Sequence, residues 1–208
     1  MIEEKYIVSA CVITNNVAVK NNGIIFSAEN KGLRSFLTSL YHYLKIDYPK
    51  FYKMDNLCKL GWLASEILIK DESFIKEFKP EEIGTVLANA NASLDTDLKY
   101  FETIKAIASP ALFVYTLSNI VAGEICIRNN FKGENAFFVF EEFNAAFIKA
   151  YVDDRFKDNS ITLCICGWVD VLEENYKAVL YLVSTKKKEG TLLFTEENMN
   201  SIFKSVEA

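Results

Sequence analysis

The sequence predicts an α/β domain in which a mixed, mainly parallel central sheet lies between helices, as α/β/α layers. The first reason is alternation: short runs rich in β-branched and aromatic residues take turns with longer segments whose apolar residues recur every three or four positions. The second is the last third of the chain, where two adjacent β-rich runs, 161–169 and 176–184, add antiparallel strands. The third is size. A chain of 208 residues, 50% of them hydrophobic, can bury one sizeable core and is read as one domain.

Residues 5–14 form the first β-rich run. Asn15-Asn16 and Asn21-Asn22-Gly23 are turn signals on either side of a short second strand, 17–19, so the chain opens with a hairpin or meander. Residues 27–46 then read as a helix with Leu33, Phe36, Leu37, Leu40, Tyr41 and Leu44 on one face, ending near Pro49. A second helix follows Asp55, its expected N-cap, with Leu57, Leu60, Gly61, Ala64 and Leu68 facing inward. Residues 71–78 suit a short helix before Pro80. Residues 83–90 (IGTVLANA) suit a buried strand. Next, Leu98, Phe101, Ile104 and Ile107 make the core stripe of a helix capped within 93–97 and stopped near Pro110.

Residues 109–135 present a Pro-containing turn, a helix N-cap at Ser118 or Asn119, an amphipathic helix and a Gly turn. They lead to a strand candidate at 136–140 and a helix over 142–156 with Phe143, Ala146, Phe147, Ala150 and Tyr151 inward. Residues 191–194 suit a last short strand, and Thr195 caps a terminal helix reaching Val206.

Composition narrows the function. A net charge of −5 argues against a nucleic-acid partner, which calls for a basic surface. The one basic run, Lys186 to Lys188, lies between apolar segments and reads as a solvated loop rather than a binding patch. The first residues resemble neither a signal peptide nor a membrane span, so a soluble, cytoplasmic protein is expected. The five cysteines, Cys11, Cys58, Cys126, Cys164 and Cys166, are odd in number and lack a C-x-x-C spacing, which fits reduced thiols. Cys164 and Cys166 would share one strand face as small apolar groups. No metal or cofactor is expected. His42, the single histidine, sits among aromatics and reads as a packing or surface residue.

Four stretches in consistent order over 52–183 resemble the N-terminal half of a β-ketoacyl-acyl carrier protein synthase, the condensing enzyme of fatty-acid and polyketide synthesis. They are FYKMDNLCKLGWLASEILIK, IGTVLANANASLDTDLKYFETI, SPALFVYTLSNIVAGEICIRNNFKGEN and ITLCICGWVDVLEE. The resemblance implies a thiolase-like half, a five-stranded sheet between helical layers. Residues 1–208 would form one such domain with a short C-terminal strand and helix as a tail.

The same resemblance places a nucleophilic cysteine where the strand after Gly133-Glu134-Asn135 enters the next helix. A helix N-terminus would lower a thiol pKa there and hold an oxyanion. In this sequence the position falls on Glu142, or on Phe143 one residue later, and neither is a thiol. The family's paired histidines, or histidine and asparagine, come from a C-terminal half that this sequence does not contain. No catalytic residue is therefore assigned.

The resemblance further implies dimerisation through Asn135, Ala136, Phe137, Phe138, Val139 and Phe140, whose strand would pair antiparallel across a twofold axis; an internal strand is the alternative. Three functions stay open. One is a non-catalytic synthase homologue, in a homodimer or a heterodimer with a full-length ketosynthase. The second is a 3-oxoacyl-acyl carrier protein synthase active only with a partner. The third is a module that binds an acyl chain or the acyl carrier protein.

Overall fold

The computed structural model describes residues 4–29, 32–70 and 72–206. Among these, β1 (Tyr6–Thr14), β2 (Val17–Lys20) and β3 (Gly23–Ser27) make an opening meander. Both of its turns are pairs of asparagines in the left-handed region, Asn15-Asn16 and Asn21-Asn22, as tight hairpins of this hand require. Of the two expected openings, hairpin or meander, the chain adopts the meander, and the helix α1 starts later than expected, at Leu33–Tyr43.

Helix α2 (Asn56–Ile69) begins as expected, with the Asp55 carboxylate accepting from the Cys58 N–H at 2.8 Å. The short segment before Pro80 is a 3-10 turn, Ser73–Glu77, rather than an α-helix. Asp71, where the expected helix started, lies outside the described residues. β4 (Ile83–Asn89), α3 (Leu94–Ile104), α4 (Pro110–Val114), α5 (Ile120–Asn129) and β5 (Asn135–Val139) follow. The chain closes with α6 (Ala145–Lys157), β6 (Leu163–Leu172), β7 (Asn175–Ser184), β8 (Leu192–Leu193) and α7 (Glu196–Lys204). Thr195 caps α7, its hydroxyl accepting from Asn198 N–H.

The strands form one sheet in the order β3-β2-β1-β7-β6-β4-β5, with β8 on the start of β1. Among the central strands β1, β7, β6, β4 and β5, only β7 runs against the others. The sheet is thus mixed and mainly parallel in strand direction. Its direct parallel contacts are confined to β6-β4-β5, because β7 separates β1 from the rest. Gly167 in β6 has φ +148, and a Cβ there would stand 2.0 Å from the Val179 carbonyl oxygen of β7, so only glycine fits this register.

Two cores give three layers. One face of the sheet packs on α1, α2 and α5 through Leu37, Leu40, Leu60, Trp62, Leu63 and Ile125; the other packs on α6 and α7 through Val152, Trp168, Tyr181 and Met199. Cys164 and Cys166 share the second face, as a strand period of two demands. The expected α1 stripe is buried except at Leu44, which caps the helix and is half-buried.

Two expected faces are not. On α6 the buried residues are Ala145, Ile148, Val152 and Phe156, whereas Ala146, Phe147 and Ala150 are exposed. The helix starts at Ala145 instead of 142, and the stripe it buries is the one through Ala145, Ile148, Val152 and Phe156. On α3 the expected core stripe of Leu98, Phe101 and Ile104 points outward, with Ile107 exposed just beyond the helix. The residues that α3 buries are Asp95 and Thr96.

Candidate functional site

The strand-to-helix junction after Gly133 is built from β5, residues 140–144 and α6. Gly133 N–H donates to Ile83 O at 3.1 Å, and a Cβ on Gly133 would lie 2.6 Å from that oxygen. The tight turn therefore requires glycine, and it lays β5 in parallel register beside β4, from Thr85 opposite Asn135 to Asn89 opposite Val139. Phe140 adds one more bond, its N–H donating to Asn89 O at 2.9 Å, after which the chain bends at Glu141 and Glu142.

The helix itself begins three residues beyond Glu142, at Ala145. Asn144 is the N-cap, its side-chain oxygen accepting from the Phe147 N–H at 2.9 Å. Glu142 is exposed and precedes the cap, so it does not share the electropositive helix start that a nucleophile would exploit. Phe143 is half-buried. Its ring stacks on Phe203 of α7 at 4.2 Å with the planes 1° apart, and it meets Trp168 edge-on at 6.1 Å. The Lys177 ammonium sits 4.0 Å from the Phe203 ring on the other side of that contact. The tail helix α7 thus fills the mouth of the junction with aromatic carbon. The tail's part here was not foreseen, and the apolar positions Met199, Ile202 and Phe203 on consecutive turns of α7 were its only signal.

The five thiols lie on β1, α2, α5 and β6. Cys11, Cys58, Cys164 and Cys166 are buried. Burial pushes the Cys11, Cys58 and Cys166 thiols well up, and each stays protonated at neutral pH. Cys126, half-buried on α5, donates to Thr85 Oγ1 and accepts from Asn135 Nδ2, both at 3.4 Å; burial raises its pKa too, against those hydrogen bonds. His42 is exposed on α1, hydrogen-bonded to Tyr52 at 3.1 Å, in the helical layer across the sheet from Phe143.

A cavity of about 410 Å³ opens beside the junction, lined by Trp168, Asp170, Glu174, Tyr176 and Lys177 among others. Its carboxylates are structural. Asp170 accepts from the N–H groups of Ala90 and Asn91 and from the Asn91 side chain, at 3.1, 3.0 and 2.8 Å, which fixes the loop between β4 and α3; Glu174 accepts from Leu33 N–H at 2.7 Å, at the start of α1. No group of metal-ligating side chains occurs among the described residues.

The polar face of α3 is the second feature that periodicity did not reveal. Thr96 donates to Asp55 Oδ2 at 2.5 Å, Asp95 accepts from Glu173 N–H at 3.0 Å and pairs with Lys99 at 2.6 Å, and Ser93 donates to Thr116 O at 2.8 Å. The helix is therefore tied down by hydrogen bonds while its apolar side faces outward, as do Phe113 and Leu117 of the following segment.

β5 ends the sheet, with no strand on its far side among the described residues. Glu134 O and Phe140 N–H both turn toward β4, so the intervening alternation turns the N–H and C=O groups of Asn135, Phe137 and Val139 outward. On the α6 face Phe138 meets Phe147 and Tyr151 at 4.8 and 5.0 Å, an aromatic wall along the edge. The six candidate dimer residues are thus together on one open edge, with Phe140 just beyond the strand proper. Two lysines of the basic run after β7 are ion-paired, Lys186 with Glu77 at 2.7 Å and Lys188 with Glu72 at 3.1 Å. No helix among the described residues is long and apolar enough to cross a membrane.

No protein-family model matches the sequence, and no curated protein matches it. The fold does match solved structures. An ishigamide ketosynthase/chain length factor aligns with a TM-score of 0.65 at 13% identity, over 87% of this chain and 62% of the other. A type II polyketide synthase assembly, an acyl-carrier protein with its ketosynthase bound to the hexaketide, aligns at 0.60 and 11%, over 88% and 63%. A β-ketoacyl synthase from Burkholderia phymatum STM815 aligns at 0.58 and 10%, over 88% and 59%. The chain has the thiolase-like fold of ketosynthases and spans about six tenths of the length of these structures.

Proposed function

We propose that this chain is a non-catalytic ketosynthase relative that works by association along the β5 edge, as a subunit or partner in polyketide or fatty-acid-type acyl-chain synthesis. One observation carries the reading. The junction that would hold a nucleophile is closed by the Phe143–Phe203 stack, while the strand leading into it keeps its outer backbone groups free. Two of the similar structures pair a ketosynthase with a chain length factor, and a third holds an acyl-carrier protein, so a full-length ketosynthase and a carrier protein are the partners to try first. The outward apolar side of α3 supports association as well.

The test has two arms. The purified chain, alone and with a candidate ketosynthase, is incubated with acyl-carrier protein or acyl-CoA and examined by intact mass. The expected result is no adduct on any of its cysteines, together with a stable complex that Val139→Pro disrupts. An acyl adduct on the chain, or condensation by the chain alone, overturns the non-catalytic reading and favours the acyltransferase. A chain that binds acyl thioesters without any protein partner favours the binding module.

A further inference from the structure

We infer that Lys59, Arg34 and Lys99 form an anion site between α2, α1 and α3, and that the group it takes is a phosphate. The site is independent of the association reading above, because no residue of β5 enters it.

Lys59 is the residue that points to a ligand. It stands on the first turn of α2, four residues after the Asp55 cap, and is 7% exposed. A buried ammonium is costly unless a carboxylate or several acceptors meet it. Among the described residues no carboxylate lies at ion-pair distance from Lys59, and no oxygen accepts a hydrogen bond from it. Its partner is instead the face of Phe51, whose ring centroid is 5.5 Å from the ammonium. Phe51 is itself buried, so the charge is held against an apolar wall that offsets part of the cost.

Two further cations act on it. Burial lowers the Lys59 pKa, and the charges of Arg34, on the first turn of α1, and Lys99, on α3, lower it further against the pull of Asp55. Three positive groups from three helices therefore converge. The acids around them are already engaged. Asp55 accepts from the Cys58 N–H at 2.8 Å and from the Thr96 hydroxyl at 2.5 Å. Asp95 accepts from the Glu173 N–H at 3.0 Å with one oxygen and pairs with Lys99 at 2.6 Å through the other. Glu174 accepts from the Leu33 N–H at 2.7 Å, where α1 begins. Lys99 thus has its counter-charge, whereas Arg34 and Lys59 have none at ion-pair distance among the described residues.

The donors select the ligand. A guanidinium presents a planar fork that two oxygens of one phosphate match, and an ammonium beside it adds a point charge. A phosphate monoester carries about two negative charges at neutral pH, which balance Arg34 and Lys59 together. A carboxylate balances one of them.

The test melts wild type, Lys59→Met and Arg34→Gln over a range of inorganic phosphate, with acetate and with potassium chloride at matched ionic strength as comparison arms. Wild type should gain stability saturably in phosphate, more than in acetate, and not in chloride. Lys59→Met removes a buried charge at nearly constant shape, so without phosphate it should be at least as stable as wild type. Its apparent affinity for phosphate should fall at least about tenfold. Arg34 is exposed, so Arg34→Gln should fold, and it should weaken phosphate binding as well. Calorimetry of wild type in buffers of different ionisation heat should show proton uptake on binding at alkaline pH, because the anion favours the charged lysine. Glycerol phosphate beside inorganic phosphate tells an ester-borne group from the free ion by which of the two binds more tightly.

Equal stabilisation of wild type and the variants by phosphate is a general salt effect and overturns the site. So does the lack of any saturable effect on wild type. Acetate that matches phosphate overturns the choice of ligand. If Lys59→Met does not fold, Arg34→Gln and the proton uptake decide: phosphate binding that neither loses affinity in Arg34→Gln nor takes up a proton overturns the site.

Discussion

Helices α1 and α3 carry the same kind of sequence and meet opposite fates. Both are eleven residues long with apolar positions at three- and four-residue spacings. On α1 the stripe of Leu33, Phe36, Leu37, Leu40 and Tyr41 is buried. On α3 Leu98 is 50% and Phe101 58% exposed, and the helix is anchored through Asp95 and Thr96 instead. Periodicity shows that a helix has an apolar side; it does not show what covers that side. In α1 the cover is the sheet and α2. In α3 no cover lies within the described chain.

The largest test of that contrast is Leu40→Ala, which should destabilise the fold by about 2–5 kcal/mol in denaturant titration, because it opens a cavity in a fully buried site. Next comes the polar anchor. Thr96→Val removes the donor to Asp55 Oδ2 and should cost about 1–3 kcal/mol, the cost of leaving a buried acceptor unsatisfied.

Asp55 also makes the anchor sensitive to pH. Burial raises its pKa above the ordinary carboxylate value, with the hydrogen bonds from Thr96 and Cys58 opposing the rise and Asp95 adding to it. The folded state therefore holds this proton more tightly than the unfolded chain. The stability this contributes is fully present below the ordinary carboxylate pKa of about 3.9 and is lost as the pH climbs through the raised folded value. Asp55→Asn keeps an N-capping side chain, so its stability should not fall with pH across that window where the wild type's does; melting curves at stepped pH read the difference.

The smallest effect belongs to the outward face. Phe101→Ser should leave stability within about 0.5 kcal/mol of wild type while reducing binding of a hydrophobic dye. A loss as large as that of Leu40→Ala would mean that the α3 face is covered after all.

The elements were legible where local chemistry decides them. Asn pairs in left-handed turns, Asp55 and Thr195 at helix starts, and β-branched runs at β4, β6 and β7 announced themselves because caps, turns and strand periods are short-range devices. The absence of a thiol at the junction was legible too, since a missing residue type can be read without coordinates. The start of α6 was misplaced because Glu142, Phe143 and Asn144 all suit a helix entrance, and only the Asn144–Phe147 bond decides between them.

What the sequence determined by itself, then, was the kind of fold, most of its elements and the absence of a thiol at positions 142 and 143, all matters of composition and local spacing. The tertiary structure alone decided which apolar faces are buried, that the tail returns Phe203 onto Phe143, and that β5 ends the sheet among the described residues. The physical reason is that these depend on contacts between segments far apart in the chain, where the hydrophobic effect rewards burial without naming the partner that provides it.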